Sequence, residues 1–309
     1  MNNRIMKNSI MKNKIILIVV VFFSFTACND SNQLRSQAYK EYPQHYNAFL
    51  SSIDLPQNLT FCGERIPIEN EEVRERVERE FYLLLQQQGQ IILYMKRSGR
   101  YFPLFEKVLK EQNAPDDLKF LSVAESALYM SRSGKGAMGL WQFMEGTARS
   151  YGMTVNEFVD ERRDEIKSTY AAVEYLKRGY QKFKSWISSA ASYNMGQYGV
   201  NENMSFQGED NYFDLFLNEE TSRYIFRIVV IKEIMTNPEK YGFMLKPEQL
   251  YKPAKVKLVK EEKAVPNLAQ WAKEHGTTYK DVKMLNPWIL KRELPAPAKD
   301  LYYEIAIPE

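Results

Sequence analysis

Between residues 70 and 240 the apolar residues recur at three- and four-residue spacing and nowhere alternate, a pattern that suits one face of a helix and not a strand. Val73, Val77, Phe81 and Leu84 or Leu85 form the first such stripe, set among alternating Glu and Arg that read as its solvated face. Gly89 interrupts the stripe, Ile91 to Arg97 extends it, and Ser98-Gly99 is expected to break it. Pro103 suits the first turn of a following helix, Leu104 to about Gln112. Pro115 opens another, with Asp116 and Asp117 where carboxylates complement the helix dipole. Further helices are expected over 168–183, over 186–193 ending at Asn194-Met195-Gly196, and from Ile225 to Met235, with 197–214 read as a loop. The expectation is an all-helical domain over residues 69–245 with about seven or eight helices.

Pro238, Pro247 and Pro253 mark a change, and residues 246–255 read as a linker. Beyond it Val256 to Val259 suits a strand, Asn267 to His275 and Tyr279 to Leu285 two short helices, and Leu301 to Ile307 a closing strand. Residues 256–309 are therefore expected to form a small βααβ module. At the other end Lys12 and Lys14 precede the apolar run Ile15 to Phe25, then Thr26, Ala27 and Cys28, which reads as an export signal over residues 1–28. A run this short falls below the roughly 20 residues that a spanning helix needs. Ala27-Cys28 resembles the bacterial lipoprotein box, with Phe25 where that box usually has leucine. The resemblance implies a lipid on Cys28 and a membrane anchor that does not span. Residues 29–68 then read as a tether, and Cys62, left without a disulfide partner, as a small buried apolar side chain.

A formal charge of +3 with acids and bases interleaved argues against nucleic acid as a partner. The only histidines, His45 and His275, lie outside the helical stretch, which excludes a Ser-His-Asp triad or a histidine metal site within it. With no Walker or dinucleotide fingerprint either, neither metal nor cofactor is expected. General acid chemistry by a carboxyl group remains. On the helix that opens at Pro115, Leu118, Leu121, Ser122 and Glu125 share the packed face. A carboxyl beside apolar side chains has its charged form desolvated, and glycoside cleavage needs such a protonated group at the leaving oxygen. The plain alternative for Glu125 is a helix glutamate paired with Arg or Lys. No second Asp or Glu occurs between Ser126 and Met144, although a distant one can fold in. Gly136 and Gly139 allow a sharp turn close to a ligand or simply a helix start, Gln142 can hydrogen-bond an acetamido group, and Trp141 reads as core. Tyr193 and Asn194 suit a helix end before Gly196, and Glu220 a helix first turn.

Four blocks in order carry a resemblance: Glu125-Ser126; Ser133 to Met144 (SGKGAMGLWQFM); Ala191 to Gly196 (ASYNMG); and Glu220 to Tyr224 (ETSRY). Together they resemble the catalytic domain of family 1 lytic transglycosylases, of the membrane-bound murein transglycosylase D type, over roughly residues 61–240. The resemblance implies a lysozyme-like all-helical fold and cleavage of the β-1,4 bond between N-acetylmuramic acid and N-acetylglucosamine, leaving 1,6-anhydromuramoyl ends. It implies Glu125 as the catalytic acid, with Ser133, Gln142, Met144, Tyr193, Asn194 and Glu220 lining the substrate groove. This chain has Ser222 inserted in what is often Glu-Thr-Arg. Leu268 to Ala272, Val282 to Pro287 and Ile305 to Pro308 resemble a LysM repeat without its usual Gly-Asp-Thr opening, and the module either binds glycan or is a structural addition. The implied partners are peptidoglycan strands and, through the lipid on Cys28, a membrane, with no obligate protein partner evident. The implied place is the cell envelope, on the periplasmic side of the outer membrane. A non-catalytic peptidoglycan-binding lipoprotein and a hydrolytic muramidase are the competing readings.

Overall fold

The structure, a computed structural model, describes residues 45–309. The export segment, Cys28 and the first part of the tether lie outside the described residues. Residues 45–52 are helical and fall in a unit that ends at Leu55, while Pro56–Glu309 form a second unit. That second unit opens with a two-stranded hairpin, β1 (Thr60–Phe61) and β2 (Glu64–Arg65). Cys62 sits in its turn at intermediate exposure, not buried as expected, because the turn itself faces outward at Gly63.

Helix α1 (Glu71–Leu85) starts where the Asn70 side chain accepts from the Glu72 and Val73 amides, and it buries Val73, Val77, Phe81 and Leu85. Helix α2 (Gln88–Glu111) differs from expectation: it runs without a break through Gly99 and Pro103. Pro103 costs a helix interior about 3 kcal/mol. Against that, α2 buries Ile91, Tyr94, Met95, Tyr101, Phe105, Val108 and Leu109, at about 1.5–3 kcal/mol for each full burial of a large apolar side chain. Packing on both sides of the proline therefore outweighs its local preference. Gly99 is not a break either; its bare Cα is where residues 250–251 cross, and a Cβ there would lie 2.7 Å from the Tyr251 carbonyl oxygen.

A 3₁₀ turn, Asp116–Leu118, leads into the short α3 (Lys119–Ser126). After the turn-rich residues 127–144 come α4 (Glu145–Ser150), a 3₁₀ turn at Glu161–Arg163, and α5 (Glu165–Phe183), capped by Asp164. Helix α6 (Trp186–Met195) is capped by Ser185 and additionally by Glu64 of β2, whose carboxylate accepts from the Ser185 hydroxyl at 2.7 Å and from the Trp186 and Ile187 amides. Residues 197–207, expected as loop, form α7. Val200 is its one buried side chain, so the helix leaves no apolar stripe to read. Helix α8 (Glu219–Thr236) buries residues on most of its circumference and packs against α1, α3 and α6. Lys232 on α8 bonds Asp117 at 2.6 Å and the Thr60 carbonyl at 2.9 Å, tying α8 to the entry of α3 and to the hairpin.

Residues 246–255 lie along α2, with the Tyr251 amide donating to the Lys96 carbonyl at 2.8 Å and the Lys96 ammonium to the Gln249 carbonyl at 2.8 Å. The βααβ order then appears as expected: β3 (Val256–Glu261), α9 (Leu268–Glu274), α10 (Tyr279–Leu285) and β4 (Tyr303–Pro308). β3 and β4 pair antiparallel from Val256↔Pro308 to Glu261↔Tyr303. Asn286 joins helix to strand by donating to the Val282 and Ala306 carbonyls while accepting from the Ala306 amide, which satisfies its buried amide fully.

Candidate active site

Glu125 stands on the last turn of α3, whose neighbours Phe120, Leu121, Val123 and Ala124 are buried. The helix stops one residue later, because Ala127 and Leu128 take left-handed φ values of 56° and 53°. Ser122 and Ser126 donate their hydroxyls to the Leu140 carbonyl at 2.9 and 2.8 Å, so the helix that carries Glu125 is fastened to the turn that follows it.

That turn, residues 131–143, is organised by short antiparallel bridges, Arg132↔Met138 and Met138↔Phe143. The Ser133 hydroxyl accepts from the Ala137 amide at 3.0 Å. The Gln142 amide nitrogen donates to the Gly139 carbonyl at 2.7 Å and the Ser131 carbonyl at 3.1 Å, so a hydrogen bond from Gln142 to a ligand acetamido group has to come through its carbonyl oxygen, as acceptor. Trp141 is fully buried with its indole N–H on Thr169 at 2.9 Å, the core role expected of it.

Glu125, Ser133, Gln142, Met144, Tyr193, Asn194 and Glu220 all line one cleft of about 720 Å³. The Tyr193 hydroxyl donates to the Trp141 carbonyl at 2.7 Å, and Asn194 donates to Glu220 at 3.2 Å while accepting from Thr221 at 2.7 Å. Tyr193 and Asn194 thus direct their side chains to other elements and not to their own helix end. A separate cavity of about 310 Å³ beside Ser185 and Tyr212 holds none of these residues, and its Glu64 is the group that caps α6.

Sequence reasoning gave no role to Tyr224, Arg227, Glu80 or Lys135, which also line the cleft. The first two follow Glu220 at i+4 and i+7 on α8, a helical spacing that could have shown them. Glu80 interrupts the apolar stripe of α1 between Val77 and Phe81 and is itself buried. Tyr224 donates its hydroxyl to Glu125 at 2.5 Å.

Burial pushes the Glu125 carboxyl up to about 7; the Tyr224 hydrogen bond and the Arg227 charge oppose the shift, and Glu220 adds to it. Glu220 moves the other way, held below the usual range by the Asn194 hydrogen bond and then by Lys135, 3.3 Å away. Burial, with Glu125 close by, raises both Tyr193 and Tyr224 well above 10, so both hydroxyls stay protonated. Glu80 is paired with Arg223 at 2.6 Å. The distant carboxylates that fold into the cleft are each matched to a cation, while Glu125, raised to about 7, suits exchange of a proton near neutrality. Among the described residues no group of His, Cys, Asp and Glu is placed to hold a metal ion.

Residues 102–216 match the family model described as the Transglycosylase SLT domain. The matched stretch takes in Glu125, the glycine turn, Tyr193 and Asn194, and ends just before Glu220. Behind the SLT domain, residues 257–309 match the Soluble lytic transglycosylase C-terminal LysM-like domain. Over 194 residues the chain is 27% identical to Membrane-bound lytic murein transglycosylase D of Escherichia coli, in strain K12 and in strain O6:H1, covering 60% of this chain and 42% of each relative. The chain therefore spans less than half the length of these relatives. A protein of Alteromonas sp. named for tributyltin chloride resistance is 29% identical over 110 residues, 34% of this chain and 53% of that one. Lytic transglycosylase Slt of Pseudomonas aeruginosa, solved as an inactive variant, superposes with a TM-score of 0.35 at 17% identity, over 49% of this chain and 26% of that one.

Proposed function

We propose that the chain is a peptidoglycan lytic transglycosylase in which Glu125 is the single acid and base. The observation that carries this reading is the Glu125 carboxyl, raised to about 7 and bonded by the Tyr224 hydroxyl at 2.5 Å, in a cleft whose other carboxylates are paired with cations. Protonated Glu125 gives its proton to the glycosidic oxygen as the C1–O4 bond of N-acetylmuramic acid breaks. A scheme with two working carboxylates needs a second free one. With Glu80 and Glu220 occupied, the 2-acetamido group of the sugar takes that part and stabilises the anomeric carbon. The Tyr224 hydrogen bond then steadies the carboxylate just formed. Ionised Glu125 takes the proton of the C6 hydroxyl, whose oxygen closes on C1, so that no water is consumed and a 1,6-anhydro ring results. In this reading Ser133, Gln142, Met144, Tyr193, Asn194 and Glu220 form the groove, with Gln142 accepting from an acetamido N–H.

Digestion of purified peptidoglycan followed by mass analysis of the muropeptides tests the proposal. Anhydro-terminated products are expected. Hydrated reducing ends would mean a muramidase, and wall binding without products would mean a binding protein. The role of Tyr224 has its own signature. Its hydroxyl stabilises the ionised form of Glu125, so Tyr224→Phe raises the carboxyl pKa and keeps the acid protonated to higher pH. The alkaline limb of kcat/KM is therefore expected to move to higher pH; a limb that stays in place or moves down would remove Tyr224 from the mechanism.

The organisation that fits this activity is a signal segment 1–28, a tether to about residue 68, the catalytic domain 69–245 and a LysM-like module from 256. The E. coli relatives are named membrane-bound, which supports placement in the cell envelope. Lipid attachment at Cys28, with anchoring in the outer membrane, is the finer form of the proposal. Cys28→Ala is expected to move the protein from the membrane to the soluble fraction, and continued membrane recovery would argue against it.

A further inference from the structure

More than a chain crossing joins the C-terminal module to the SLT domain. Residues 158–160, between α4 and α5, lie beside residues 288–290 as a short antiparallel bridge. The Asp160 amide donates to the Trp288 carbonyl at 2.9 Å and the Leu290 amide to the Phe158 carbonyl at 2.8 Å. Val159, 1% exposed, belongs to the same apolar core as Trp288, Ile289 and Ile305 of the module.

Asp160 continues the connection inward. Its carboxylate accepts from Arg162 Nε and Nη2, both at 2.8 Å, in a buried two-bond pair. The remaining guanidinium nitrogen, Nη1, donates to the Gly136 carbonyl at 3.1 Å and the Phe143 carbonyl at 3.3 Å, two points of the turn that carries Ser133 and Gln142. The Arg162 carbonyl is also the surface against which Gly139 is fitted: a Cβ on Gly139 would lie 1.9 Å from its oxygen. An unbroken series of buried contacts thus runs from the module core to the cleft wall. Its members are Ile289 against Val159, Trp288 on Asp160, Asp160 on Arg162, and Arg162 on the turn.

We propose that the LysM-like module is a brace for the active-site wall, and that Arg162 is the positioning residue through which it acts. The docked module holds residues 158–160, Asp160 fixes the fork of Arg162, and Arg162 sets the turn that presents Gln142 and Ser133 opposite Glu125. A wall-binding arm would need no such contact, and a rigid fork with five donors suits a clamp on two carbonyls better than an ammonium would. The kinetic consequence rests on the transglycosylase reading; the structural consequence does not.

Ile289→Asp, on the module side and distant in sequence from Arg162, and Arg162→Lys are the two variants, each made in the full chain. Two measurements follow: kcat and KM on short soluble glycan strands, and amide hydrogen exchange at Met138, Gly139 and Phe143. A loosened turn misplaces its groups by a fraction of an ångström to an ångström, for which a loss in kcat/KM of about 10–100-fold is expected, with kcat falling and KM rising because Gln142 and Ser133 also line the substrate groove. Exchange at the three turn amides should quicken in both variants while that of α8 stays as in the parent protein. Should Ile289→Asp fail to fold by far-ultraviolet circular dichroism, Ile289→Ala carries the same measurements. Unchanged exchange and unchanged kcat in the module variant would overturn the brace, as would a rise in KM alone with exchange at the turn unchanged, which is the mark of a binding arm. If the parent protein cleaves no glycan the functional proposal fails, and the exchange measurement still decides the brace.

Discussion

Glu125→Gln should lower turnover on glycan strands by about 10²–10⁴-fold, the contribution typical of a positioned proton donor, while the inert protein still binds the strands. The substitution is close to isosteric, and the amide oxygen can still accept from Tyr224, so the cleft keeps its shape and loses only the proton. Muropeptide release under single-turnover conditions gives the rate, and co-sedimentation with insoluble wall gives the binding. Activity within tenfold of the parent protein would move the chemistry to Glu80 or Glu220. Glu80 is taken up by its ion pair with Arg223, and Glu220 is held below the usual carboxylate range by the Asn194 hydrogen bond and by Lys135, which makes that outcome unfavourable.

The second large effect concerns stability. Gly139→Ala places a side chain at φ 88°, a left-handed region that costs an L-residue about 1–2 kcal/mol. It also drives a Cβ to within 1.9 Å of the Arg162 backbone oxygen, and relieving such overpacking adds about 1–3 kcal/mol or more. Gly136→Ala is the matched control: φ is 89°, yet nothing lies within 4 Å of the added atom. Thermal unfolding of the pair should show a much lower Tm for Gly139→Ala than for Gly136→Ala. Equal losses would mean that the turn does not rest on Arg162, and that only the backbone preference of glycine matters there.

The helical stretch and the βααβ order were legible because both depend on local periodicity and on turn residues. The segments that were not legible have local signals contradicted by packing. Pro103 reads as a start and is a helix interior, since a long buried face on both sides of it outweighs one missing hydrogen bond. Helix α7 offered no stripe because it buries almost nothing. At the site, Glu125 stood out by its packed helix face, and the other groove residues came from the resemblance, not from spacing. Tyr224 lies in the last resemblance block and one helical turn beyond Glu220, yet its role was not legible, because its partner Glu125 lies 99 positions earlier and only the fold brings the two together. The pairing of Glu80 with Arg223, 143 positions apart, likewise exists only once the chain has folded.

The Glu125–Tyr224 pair joins α3 to α8, two helices packed in the core and bonded again through Asp117 and Lys232. Gln142 and Ser133, by contrast, sit on an irregular turn held by carbonyls and one arginine. Stiff scaffold and adjustable wall are thus separate parts of the molecule. Changes at the exposed Gly134 and Lys135, away from the Leu140 carbonyl that fastens the turn to α3, can retune which glycan is accepted without disturbing the proton donor. A chain built this way can diversify in substrate while its chemistry stays the same.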